Sequence, residues 1–181
     1  MFISAINISN LRFVTNLKSK IMKKLCLVAI LAIFGLSNVT AQGQFRAGIS
    51  GGLPIGDAGD LATFAIAVDL GYLFEISDEF EVGPVTGVNH SFGDSDIIDE
   101  DFTWIPVGGA ARFSVSDEFT LGADLGYAIG VAPDGLESGF YYAPRVQYGV
   151  SETIDIVFAY RGISLDGITW NTITLGVDIG L

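Results

Sequence analysis

Two stretches of this chain alternate so strictly that few folds remain open to it. In residues 63–76, TFAIAVDLGYLFEI, Phe64, Ile66, Val68, Leu70, Tyr72, Phe74 and Ile76 are large and apolar. The residues between them, Thr63, Ala65, Ala67, Asp69, Gly71, Leu73 and Glu75, are mostly small or polar. Residues 119–132 repeat the pattern, with Phe119, Leu121, Ala123, Leu125, Tyr127, Ile129 and Val131 set against Thr120, Gly122, Asp124, Gly126, Ala128, Gly130 and Ala132. A strand sends successive side chains to opposite faces, so each stretch is a strand with one bulky apolar face and one small polar face. A helical period is not evident anywhere after residue 41.

Weaker alternation predicts further strands near residues 45–53, 80–92, 102–115, 140–150, 154–162 and 168–181, which makes eight. Their connections alternate in kind. The short ones repeat a phrase: ISDEFEVGP at 76–84, VSDEFTLGA at 115–123 and a looser VSETIDIV at 150–157. Longer connections fall at 54–61, 93–101, 133–139 and 163–167. Tight turns on one side and longer loops on the other are the pattern of an up-and-down membrane barrel. About 17 residues per strand and connection suffice for a tilted membrane strand of about 9–11 residues. The length is too small for a 16-stranded porin.

The first 41 residues differ in kind. They hold five of the nine basic residues and no Asp or Glu, and Leu25–Leu36, LCLVAILAIFGL, is an unbroken apolar run before Val39-Thr40-Ala41. The run is too short for a spanning helix and reads as a cleaved secretory signal, with Met22 the expected true start. Residues 42–181 are then the barrel domain. They carry 21 carboxylates against Arg46, Arg112, Arg145 and Arg161, with no Lys, for a formal charge of −17. That argues against a nucleic-acid partner, whose phosphates need clustered Lys or Arg. The only cysteine, Cys26, leaves with the signal.

A soluble barrel would bury its bulky face; a membrane barrel shows it to lipid. The small residues of the second face leave little to fill a soluble core. Aromatics crowd the strand ends, at Phe80, Phe102, Phe119, Phe140, Tyr141, Tyr142, Trp104 and Trp170, as interfacial girdles do. With the bulky face outward, Arg46, Asp69, Glu75, Glu81, Arg112, Asp124, Arg145, Asp155, Arg161 and Asp178 all fall on the lumen face. Three of these sit in a second repeat: VDLGY at 68–72, ADLGY at 123–127 and VDIGL at 177–181. Charges in a narrow barrel must pair, so a lumen-filling Arg–carboxylate network is expected, with a narrow polar pore as the alternative.

The loop at 93–101, GDSDIIDED, gathers Asp94, Asp96, Asp99, Glu100 and Asp101. It reads as a solvated acidic outer loop able to attract divalent cations, without the spacing of an EF-hand. His90 is the only histidine and Ser91 follows it, but neighbours on a strand face opposite ways, so no catalytic pair is expected.

The signal, the eight alternating strands and the texture of GYLFEIS, GYAIGVAP and RVQYGVS resemble the small outer-membrane β-barrel proteins of the OmpA-barrel and OmpX type. In particular they resemble the barrel-only "porin family" proteins common in Bacteroidetes-like bacteria. Such chains usually end in Phe or Trp; this one departs from them in ending at Leu181. The resemblance implies an all-β, eight-stranded antiparallel transmembrane barrel in the cell outer membrane. It implies a structural, membrane-integrity or surface-interaction role for a monomer that meets outer-membrane lipid and the secretion and barrel-assembly machinery, with no cofactor, resident metal or enzymatic activity. A narrow porin-like channel, an outer-membrane lipid-modifying enzyme and a secreted lipocalin-like binding barrel are the other readings.

Overall fold

A computed structural model describes residues 43–98 and 100–181. The expected leader with its cleavage site, and Asp99, lie outside the described residues. Eight strands follow one another: β1 (Gly43–Ile55), β2 (Ala62–Ser77), β3 (Phe80–Gly93), β4 (Phe102–Ser114), β5 (Phe119–Ala132), β6 (Gly139–Gly149), β7 (Ile154–Ser164) and β8 (Thr169–Gly180). Each pairs antiparallel with its neighbour in sequence, and β1 pairs with β8, so the sheet closes on itself. Closure leaves no sheet edge with unpaired backbone groups.

The short turns fall where the acidic repeats predict them. Ser116 Oγ accepts the Phe119 N–H at 3.1 Å, and Ser151 Oγ accepts the Ile154 N–H at 3.1 Å. In these two turns the serine of the repeat caps the turn that its acidic neighbours keep in water. At the other end the loops are tighter than the sequence predicts, because β1 continues to Ile55 and β7 to Ser164. They span 56–61, 94–101, 133–138 and 165–168. Gly135 and Gly167 take positive φ, 83° and 91°, which lets two of these loops turn back in few residues.

The wall is apolar on the outside. Ile49, Leu70, Leu125, Phe158 and Leu175 are among its most exposed side chains. Aromatics ring it at both ends. Phe45 meets Tyr72 edge-on at 4.7 Å, Tyr72 meets Phe74 at 4.9 Å, and Phe119 meets Tyr148 at 5.0 Å on the turn side. On the loop side Phe64 stacks on Phe92, and Phe140 and Tyr160 on Tyr142. Four of the predicted girdle residues are not there. Phe102, Trp104, Tyr141 and Trp170 turn into the lumen and are buried, Trp104 completely. The reason is phase. Trp104 and Phe102 lie an even number of residues from Arg112, Tyr141 from Arg145 and Trp170 from Asp178; the β4–β5 ladder shifts register at Thr103–Trp104, but the extra residue, Val131, is on β5, so β4 keeps its alternation.

Candidate functional site: the lumen and its outer cap

The turn-side half of the lumen is filled by charge. Arg161 on β7 holds Asp69 on β2 with two hydrogen bonds, Nη1 to Oδ1 at 2.9 Å and Nη2 to Oδ2 at 2.6 Å. The same guanidinium donates to Thr174 Oγ1, Tyr141 Oη, Asn89 Oδ1 and Ser50 Oγ. Arg145 on β6 bonds Asp124 on β5 and reaches Asp69 at 3.6 Å, and Arg112 on β4 lies 2.7 Å from the other Asp124 oxygen. One chain of alternating charge, Arg112–Asp124–Arg145–Asp69–Arg161, therefore ties β4, β5, β6, β2 and β7 across the barrel. A second cluster bridges the seam between the first and last strands: Arg46 on β1 bonds Asp155 on β7 and lies 3.4 Å from Asp178 on β8, which also accepts from Gln147.

Each Asp of the VDLGY, ADLGY and VDIGL repeats thus meets an arginine. Arg112, Arg145, Arg161, Asp124 and Asp178 are buried, and Arg46, Asp69 and Asp155 are partly buried. Glu81 is half-buried beside Arg112 in the register, and Glu75, paired with Glu81, stands exposed at the mouth. Buried charge survives only when it is compensated in this way.

Glycine makes the room. Gly48 and Gly87 flank Asp69, and Gly71 and Gly180 flank Arg46. A Cβ on Gly122 would lie 2.7 Å from Arg112 Cδ, and on β4 and β5 Gly108 and Gly126 sit so close that a Cβ on either would strike the other's strand backbone. The lumen face is not wholly small and polar, since Leu73 and Val157 are also buried there. Three spaces among the described residues are water-sized. One of about 20 Å³ is bordered by Arg46, Asp69, Arg112, Asp124, Arg145 and Asp178. One of about 10 Å³ lies between Arg161, Trp104 and Trp170.

The loop-side half is an apolar cap that the sequence reading did not foresee. Phe102, Trp104 and Trp170 form its centre, with ring centroids 4.5 Å apart for Phe102–Trp170 and 5.0 Å for Trp104–Trp170. Ala58, Ala62, Ala128, Ala143, Tyr141 and Ile163 complete it. Besides Ala58 on the first loop, each of the four outer loops packs one larger aliphatic side chain against it: Leu61, Ile98, Leu136 and Leu165. Both indole N–H groups are satisfied, Trp104 by the Glu137 carbonyl at 3.0 Å and Trp170 by Ser91 Oγ at 3.1 Å. The loops are also bonded to one another. The Asp94 N–H donates to the Leu61 carbonyl, the Asp166 N–H to Glu137, and the Thr169 N–H to Asp57. Tyr141, which accepts from Arg161, joins cap to network. The signal for the cap was available: it is the phase that assigned the charges, applied to the aromatics.

Apart from Ile98, the described residues of the acidic loop stay outside this core. Asp94 Oδ1 accepts the Asp96 N–H, and Asp101 Oδ1 accepts the Gly93 N–H, both at 3.0 Å. Among the described residues no three His, Cys, Asp or Glu groups converge as a metal cage. His90 and Ser91 do face apart: His90 contacts Thr103 on the outer wall, and Ser91 is buried against Trp170.

A closed eight-stranded barrel that is apolar outside and ion-paired inside is the inverse of a soluble barrel, and defines the class of small membrane barrels. Residues 26–179 match the outer membrane protein beta-barrel domain family, and the chain belongs to it. It is an outer-membrane protein. Solved structures share the fold. Ail of Yersinia pestis in a phospholipid nanodisc is 19% identical, with a TM-score of 0.57 over 77% of this chain and 100% of that one. Ail in complex with the heparin analogue sucrose octasulfate is 20% identical, with a TM-score of 0.55 over 78% and 99%. Neisserial surface protein A is 12% identical, with a TM-score of 0.51 over 77% and 97%. No curated protein matches the chain in sequence.

Proposed function

We propose that the protein is a sealed, non-conducting monomer that supports membrane integrity and acts through its outer face. The observation that carries this reading is the filling of the lumen from both ends, by the ion-pair network and by the aromatic cap. A polar pore needs a continuous wet path, and the spaces between these two fillings are the size of single waters. No enzymatic step and no cofactor enter the proposal. Its partners are outer-membrane lipid along the wall and, during biogenesis, the secretion and barrel-assembly machinery.

The outer loops favour a particular contact chemistry. They carry Asp57, Asp60, Asp94, Asp96, Asp99, Glu100, Asp101, Asp134, Glu137 and Asp166, and no Lys or Arg. Ail, by its description, takes a sulfated heparin analogue. A face of this charge repels such a polyanion and suits cationic surfaces, or anionic ones bridged by divalent cations.

Planar-bilayer recording of the purified protein tests the seal: a silent bilayer is expected, and resolved conductance steps would favour the narrow-channel reading instead. Retention on a heparin column at physiological salt would refute the contact chemistry.

A further inference from the structure

His90 lies on the outward face of β3, directly opposite Thr103 of β4, at the loop end of the wall. Its Nδ1 is 2.9 Å from Thr103 Oγ1, and its Nε2 is 3.6 Å from Asp101 Oδ2. The other oxygen of Asp101 accepts the N–H of Gly93, the last residue of β3. One carboxylate therefore joins the two stems of the 94–101 loop, with the imidazole as the second half of the joint. Phe92 holds the ring edge-on at 4.6 Å and 86°, and Phe64 stacks behind Phe92.

Both ring nitrogens face groups that can accept. Asp101 is a carboxylate, and a threonine hydroxyl accepts as well as it donates. A neutral ring can accept from the Thr103 hydroxyl at Nδ1 and turn its Nε2–H toward Asp101; an imidazolium adds a positive charge opposite the carboxylate, so its contact with Asp101 is ionic. The elements around it bring no competing cation. From β2 the register partner is Ile66, from β3 itself Phe92, and from the β4 side Thr103 and Asp101. The outer loops contain no Lys or Arg, and Asp94, Asp96 and Glu100 stand on the same loop.

We propose that His90, Asp101 and Thr103 form a pH-dependent clip that fastens the acidic 94–101 loop to the rim of the barrel. A proton gained by the ring makes the contact with Asp101 ionic and tightens the loop; its loss leaves a neutral contact and loosens it. Because Ile98 packs under the cap and the Asp94 N–H bonds the Leu61 carbonyl, loosening the loop also loosens one of the cap's four anchors. The order hydroxyl–imidazole–carboxylate is also that of a nucleophile relay. A relay needs the carboxylate buried and hydrogen-bonded to the ring, whereas the Asp101 side chain is 52% exposed and 3.6 Å away.

Hydrogen exchange of the full chain in lipid nanodiscs at pH 5.5 and 7.5, corrected for intrinsic exchange rates, tests the clip. The amides of 93–101 are expected to be about two- to fivefold better protected at the lower pH, the range an exposed ion pair supplies. Protection of 133–138 should not change. His90→Gln and Asp101→Asn should each abolish the pH response, and the double variant should do no more than either. His90→Lys, which keeps a cation at both pH values, should leave the loop protected at both. Heat-modifiable migration on a gel shows that each variant is folded. A pH response that survives in His90→Gln, or a loop indifferent to pH in the wild type, overturns the proposal.

Discussion

The two halves of the lumen solve the same filling problem by opposite means. The turn-side half packs arginines against aspartates in spaces that glycines keep open; the loop-side half packs tryptophan and phenylalanine against alanines and loop aliphatics. The charged half is bound by specific partners, so one missing member leaves others buried and unpaired. The apolar half depends on volume, so its losses should scale with the size of the void. The difference shows how the lumen of one barrel can be filled by charge at one end and by apolar side chains at the other, behind a wall that is apolar outside.

Several variants would sharpen or break that contrast. Asp69→Leu leaves Arg161 buried without its counter-charge and should cost about 3–5 kcal/mol, whereas Asp69→Leu with Arg161→Leu should recover most of the loss. Urea unfolding in lipid vesicles, followed by tryptophan fluorescence, measures both; a double variant no better than the single one contradicts the pairing. Trp104→Ala in the cap should cost about 3–5 kcal/mol and Trp104→Phe less, with no partner substitution able to rescue either. If the halves seal independently, Trp104→Ala leaves planar bilayers silent, because the ion-pair network still fills the other end.

Gly122→Val should cost about 1–3 kcal/mol by driving a side chain into Arg112, and combining it with Arg112→Ala should cost less than the two losses added. The smallest effect belongs to the turns. Ser116→Ala removes one hydrogen bond and should cost about 0.5–1.5 kcal/mol, seen as a modest shift in the urea midpoint with an unchanged slope.

Much of this was legible in the residues. Alternation in 63–76 and 119–132 marked strands, the SDE turns marked one end, and the phase of Asp69, Asp124 and Asp178 placed them together with the four arginines. The cap escaped because position was weighed in place of phase. Trp104 and Trp170 lie near strand ends, where aromatics commonly meet the membrane interface, yet both share the parity of a lumen charge on their own strand. The loop aliphatics had no such signal. Leu61, Ile98, Leu136 and Leu165 lie outside any alternating stretch, so no period foretells that they dip inward.

The amino-acid sequence by itself determined the strand count, the inward and outward faces and the excess of carboxylates, because each follows from a period of two or from composition. Only the tertiary structure decided which arginine meets which aspartate. Arg161 and Asp69 lie on β7 and β2, and the partners are set by the stagger at which β1 and β8 close. The same closure decided that four short loops meet over two tryptophans, since burial there depends on groups brought together from across the whole chain.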